Sequence, residues 1–137
     1  MRAALQAHAL GLGLGERVRF VGRLPAGEQA RCYDAARWYI SLPASDSVSV
    51  SVLEAMAHGC IPLLSDLPAN RELVRDGDNG LIVADDLAAL PARLQALHLR
   101  AGAVAAANRC WVEAHALFPQ AVAAFLARLR ELGSDEA

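Results

Sequence analysis

Three short apolar runs, Trp38 to Leu42 (WYISL), Cys60 to Leu64 (CIPLL) and Leu81 to Val83 (LIV), alternate along the chain with stretches of helical periodicity. Runs this short and this apolar read as strands buried on both faces. Strands separated by helices pair in parallel, because a parallel pair needs a crossover and a right-handed βαβ unit supplies one. The expected fold class is therefore α/β, a Rossmann-like parallel sheet with flanking helices.

The remaining elements follow from local signals. Leu5, Ala9 and Leu12 mark a helix stopped by Gly13 and Gly15, and Val18 to Gly22 (VRFVG) reads as a further short strand. Pro25, Ala26 and Gly27 open a helix running to Ala36, and Pro43 ends the WYISL strand. A polar loop around Asp46 precedes a helix from Ser51 to His58, and Pro68 to Val74 suits a short helix. Asp76-Gly77 and Asn79-Gly80 are turn dipeptides that lead into LIV. Leu87, Leu90, Leu94 and Leu97 mark one helical face; Leu117, Ala121, Phe125, Leu129 and Leu132 mark another, with Pro119 in its first turn. The C-terminal third is thus all helix.

Composition narrows the function classes. At 137 residues the chain is one domain, 55% hydrophobic, with 13 basic against 15 acidic side chains. It has no polybasic tract, so it lacks the electrostatic footprint of a nucleic-acid binder. No apolar run reaches the roughly 18 to 20 residues of a membrane span, and the N-terminus lacks a signal-peptide pattern, which makes the cytoplasm the expected compartment. Cys32, Cys60 and Cys110 are odd in number and far apart, so reduced, mostly buried thiols are expected rather than a disulfide framework or zinc knuckle. His8, His58, His98 and His115 show no metal-ligand spacing, and no metal site is expected.

The stretch that carries chemistry runs from Ser41 to Val83. It holds an acid, Asp46, then after seven residues Glu54-Ala55-Met56-Ala57-x-Gly59, a strand, Ser65-Asp66, and Glu72 ahead of Asp76-Gly77-x-Asn79-Gly80. This order resembles the donor-binding half of the family 4 retaining glycosyltransferases of GT-B fold, and the upstream RVRFVG, helix and strand fit that pattern too. The resemblance implies a partial GT-B C-terminal domain over residues 1–133 with a helical C-terminal tail, and a solvated end at 134–137.

For function, the resemblance implies binding of a nucleotide sugar. A carboxylate accepts hydrogen bonds from both ribose hydroxyls at once, and Glu54 stands at the family position that does so. A diphosphate takes free backbone N–H groups at a positive helix end, which points to Val48, Ser49 and Val50. Asp46 stands at the catalytic carboxylate position beside the transferred sugar, where it would steady an oxocarbenium-like centre. The family residue is usually Glu, so Asp46 shortens the reach by one methylene. No cofactor and no metal are implied, the NDP-sugar being the donor substrate.

Other readings of these residues stay open. Ser51-x-x-Glu54 is a capping box, Asp46 suits an Asx-turn, and the alternation from Ser47 to Val52 fits a half-buried strand. Glu72 fits a partly buried acid paired with Arg71 or Arg75, and no catalytic role is assigned to it.

The family's phosphate-binding Gly-Arg and Lys segment and its acceptor domain do not precede Met1. The expected partners are therefore a nucleotide sugar and this missing N-terminal half, and the chain by itself is expected to be inactive. In the doubly wound order the two strands between VRFVG and WYISL would be missing. Either those two then pair directly, or WYISL is left as an edge that another copy covers, giving a homo-oligomer. Two alternatives to a transferase part are a non-catalytic nucleotide- or protein-binding module of the same fold and a flavodoxin-like signalling domain.

Overall fold

The computed structural model describes residues 1–47, 49–84 and 87–134, with side chains through residue 128. In chain order the elements are α1 (Arg2–Gly11), α2 (Ala26–Ala35), β1 (Trp38–Ser41), α3 (Val50–Ala57), β2 (Ile61–Ser65), α4 (Pro68–Leu73), β3 (Leu81–Val83), α5 (Leu90–His98), α6 (Ala101–His115) and α7 (Phe118–Ser134). The strands form one parallel sheet in the order β1-β2-β3, with Trp38 opposite Ile61 and Leu63 opposite Leu81. The α/β class and the alternation of strand and helix are as the sequence implies.

The centre of the sheet shows why CIPLL is apolar throughout. Successive side chains of a strand point to opposite faces. Leu64 joins Val52, Met56, Leu73, Ile82 and Val112 under α3, while Ile61 and Leu63 join Leu81, Leu97 and Val104 under α5. Both faces of β2 are therefore covered, and each such side chain contributes about 1.5–3 kcal/mol.

The last of the covering helices, α6, spans both clusters, with Val104 in one and Val112 in the other. The C-terminal third is helical as expected, but in three helices rather than two faces. Among the described residues, no single helix is long and apolar enough to cross a membrane.

Helix α3 ends in a Schellman turn. The Gly59 amide donates to the Met56 carbonyl and the Cys60 amide to that of Ala55, both at 2.9 Å, with Gly59 at φ +89°. The Arg109 guanidinium lies where a Cβ on Gly59 would sit, 2.9 Å from its Cζ, so α6 packs directly on this turn.

Two expectations are corrected. Val18 to Gly22 forms no strand: Val18 and Val21 are exposed and the segment does not pair with the free edge of β1, and β propensity without a paired neighbour does not make a strand. The thiols are not mostly buried either. Cys60 is buried beneath α2, but Cys32 and Cys110 lie on the exposed faces of their helices. The end of the chain, residues 135–137, lies outside the described residues.

Candidate functional site

The loop leaving the C-terminal end of β1 carries Asp46 and leads into α3. Asp46 is exposed and accepts the Ser47 amide at 2.8 Å, a local turn contact that leaves its other carboxylate oxygen without a hydrogen bond among the described residues. Val48, one of the expected donor-binding residues, lies outside the described residues.

The helix begins earlier in its polar run than the capping-box reading requires. Ser49 is the N-cap, in extended conformation at φ −78° and ψ 121°, and Val50 is the first helical residue. Ser51 is inside the helix and does not cap it, so that reading is overturned. So is the half-buried strand, because Val50 to Val52 are helical. The Ser51 hydroxyl instead meets Tyr39 Oη at 2.9 Å and Ser49 Oγ at 2.8 Å. Ser49 makes no side-chain cap.

Glu54 follows Val50 by four residues, about 6 Å along the helix axis, roughly the separation of a ribose from its diphosphate. The carboxylate borders a cavity of 130 Å³ closed by Ala26, Gln29, Ala30, Tyr33 and His58. A second hollow of 490 Å³, lined by Gly22, Arg23, Leu24, Ala26 and Gln29, adjoins it through the two shared residues. The structure thus brings Glu54 and the start of α3 to one side of the domain, with α2 as the facing wall.

This wall is the part that residue-type reasoning overlooked. Its signal was there in the spacing, since Ala26, Gln29, Ala30 and Tyr33 recur at i, i+3, i+4 and i+7 and so share one helix face. Gln29 donates to the Tyr33 hydroxyl at 2.6 Å. Burial pushes the Tyr33 phenol up, the Gln29 hydrogen bond works against that, and Tyr39 and Glu54 add to the rise. Burial likewise raises the Cys60 thiol, reinforced by Asp34, which makes it a packing residue rather than a nucleophile. His58 reaches across to Asp34 at 2.7 Å.

Glu72 is exposed rather than partly buried, and among the described residues it forms neither the expected pair with Arg71 nor that with Arg75. Arg71 holds Asp66 instead through two hydrogen bonds of 2.6 and 2.7 Å, and these keep the Asp66 carboxyl below the ordinary carboxylate range. Among the described residues, no three His, Cys, Asp or Glu side chains converge as a metal site would need.

A parallel sheet with helices on both faces, and a loop-to-helix junction at the C-terminal end of a strand, define a Rossmann-like α/β domain. The chain belongs to the group 1 glycosyl transferases, whose family pattern matches residues 1–98, the whole sheet included. It is similar to a phosphatidyl-myo-inositol mannosyltransferase of Mycobacterium leprae (strain TN), 39% identical over 87 residues, 62% of this chain and 23% of that protein. It is also similar to a GDP-mannose:cellobiosyl-diphosphopolyprenol alpha-mannosyltransferase of Xanthomonas oryzae pv. oryzae (strain PXO99A), 33% identical over 91 residues, 65% of this chain and 24% of that protein. The aligned part is about a quarter of either relative's length.

Proposed function

We propose that this chain is the donor-binding part of a retaining glycosyltransferase, taking a nucleoside diphosphate sugar whose hexose is mannose. The observation that carries this reading is Glu54 set one helical turn inside an uncapped α3, on the side of the domain faced by α2. Both relatives are named as mannosyltransferases, and GDP-mannose stands in the name of one.

In this reading Glu54 accepts hydrogen bonds from the ribose diol. The amides at the start of α3, with Ser49 and Val50 and the adjoining Val48, take the diphosphate. As the glycosidic bond breaks, negative charge grows on the leaving diphosphate, where the helix N-terminus stabilises it. Asp46 faces the sugar from the β1 loop and steadies the positive charge on its anomeric carbon. The retaining course is carried over from the family resemblance. Diphosphate binding by amides needs no metal. All 13 basic residues here are arginines, so a lysine contact to the phosphates, if the whole enzyme uses one, comes from beyond these residues. The acceptor is held by another part of the enzyme, and these residues alone neither transfer nor hydrolyse the donor.

Calorimetric titration of the chain with GDP and GDP-mannose tests this. Glu54→Ala should weaken binding by about 1.5–3 kcal/mol, the weight of a hydrogen bond to a charged group. Unchanged affinity removes the assignment, and sugar release by the pure chain above the uncatalysed rate contradicts its dependence on the rest of the enzyme.

A further inference from the structure

We propose that Tyr39 is a positioning residue that keeps the first amides of α3 open for the donor's diphosphate, a role that rests on the reading of α3 just given. A serine at the N-cap ordinarily turns its hydroxyl back onto the second or third amide of the helix. Ser49 does not. Its hydroxyl is directed to Ser51 Oγ at 2.8 Å, and Ser51 Oγ is in turn held by Tyr39 Oη at 2.9 Å. The Ser51 amide, the second of the helix, consequently has no acceptor among the described residues; the Val50 amide, which an N-cap hydroxyl does not reach, has none there either, and the two are the groups a helix start offers to an oxyanion.

The chain of hydroxyls is anchored from the other side of the site. Tyr39 stands on β1, half-buried, with its ring edge-on to Tyr33 at a centroid distance of 5.9 Å. Tyr33 lies on α2 and is fixed by its bond to Gln29. The wall facing Glu54 therefore also sets the height of the Tyr39 hydroxyl, and through Ser51 it sets the orientation of Ser49. Removing that hydroxyl takes away the bond that holds Ser51 Oγ toward β1, so Ser51 is free to turn away from Ser49. Ser49, released, becomes an ordinary N-cap over the amides that the diphosphate needs.

The test is a double-mutant cycle on the full chain, titrated with GDP and UDP and with guanosine and uridine. Tyr39→Phe should weaken the favoured diphosphate roughly fivefold, the weight of one N-cap, and leave its nucleoside unchanged. In a Ser49→Gly background, where no hydroxyl remains to cap, Tyr39→Phe should have no effect on diphosphate binding. Amide exchange without ligand should slow at the start of α3 in Tyr39→Phe alone. An equal loss in the Ser49→Gly background, or an equal loss of nucleoside binding, makes Tyr39 merely structural and overturns the proposal. No effect of Tyr39→Phe in a wild-type chain that does bind diphosphate overturns the proposal alone. Failure of the wild-type chain to bind either diphosphate overturns the donor-site reading and the proposal with it.

Discussion

Asn108, buried in the middle of α6, donates its side-chain amide to the main-chain carbonyl of Asn79 at 2.9 Å. That contact ties the longest well-packed helix to the Asp76-Gly77-Asp78-Asn79-Gly80 turn ahead of β3. The same turn is held from other sides. Asn79 accepts the Arg75 amide at 2.8 Å and donates to the Leu73 carbonyl at 3.0 Å. Arg93 of α5 pairs with Asp76, which also accepts the Ile82 amide, and Arg100 reaches the Gly77 carbonyl. Replacing Asn108 by Leu keeps the branched side-chain skeleton but leaves the Asn79 carbonyl without its partner. The expected loss is about 1–3 kcal/mol in urea denaturation. A loss under a few tenths would mean that water replaces the amide.

Gly80 is constrained by space rather than by backbone angle. A Cβ there would lie 2.6 Å from the Pro62 carbonyl oxygen and 3.1 Å from Val74 Cγ1. The oxygen belongs to β2 and cannot swing aside as a flexible side chain could. Gly80→Ala should therefore push the turn off the sheet and cost about 1–3 kcal/mol, typical of overpacking. A thermal melt identical to that of the wild type would show that the turn yields without disturbing β3.

The Asp66 and Arg71 pair gives a sign for pH dependence. Its hydrogen bonds hold the folded Asp66 below its unfolded value, so the contribution to stability is present above the unfolded pKa and lost as pH falls through the lower folded one. Both side chains are exposed and solvent screens them, so the effect is small. Asp66→Asn should be slightly less stable than the wild type at neutral pH, with the gap closing in acid. A gap that widens on acidification would reverse the assignment.

These sites also show which features could be read in advance. The CIPLL strand and the helix after Asp46 were legible because an unbroken apolar run and an Glu54-Ala55-Met56-Ala57 segment each allow few alternatives. VRFVG was not, because being a strand depends on a neighbour and its residues report only their own propensity. The start of α3 at Val50 falls one residue before the expected Ser51, because period-two alternation and a capping box share the same serines. Helix α6 was hidden as a separate element because its buried stripe of Val104, Asn108 and Val112 has a polar residue at its centre. Asp46 and Glu54 were named from motif order. The wall of α2 was missed because Gln29 and Tyr33 read as ordinary amphipathic residues until Glu54 is placed opposite them.

The last prediction concerns the outer edge of β1. This strand pairs with β2 alone among the described residues, and the irregular segment 18–22 does not pair with it. Ile40 and Leu42 are 63% and 53% exposed there, and beside them a hollow of 270 Å³ lies between the strand and α5, lined by Trp38, Leu63, Pro91 and Leu94. An open apolar edge is a template for pairing, and proteins ordinarily cover it or place a charge on it. We expect the purified chain to cover it with a second copy and to be dimeric or larger at micromolar concentration in light scattering. Ile40→Lys places a cation on the edge and should shift the population toward monomer. Helix α7 offers a rival surface, with Phe118 and Phe125 82% and 62% exposed, so Phe125→Glu is the control. If Phe125→Glu dissociates the assembly and Ile40→Lys does not, the contact lies on α7. If the wild-type chain is a monodisperse monomer that unfolds cooperatively, three strands close a stable sheet unaided and the edge needs no partner.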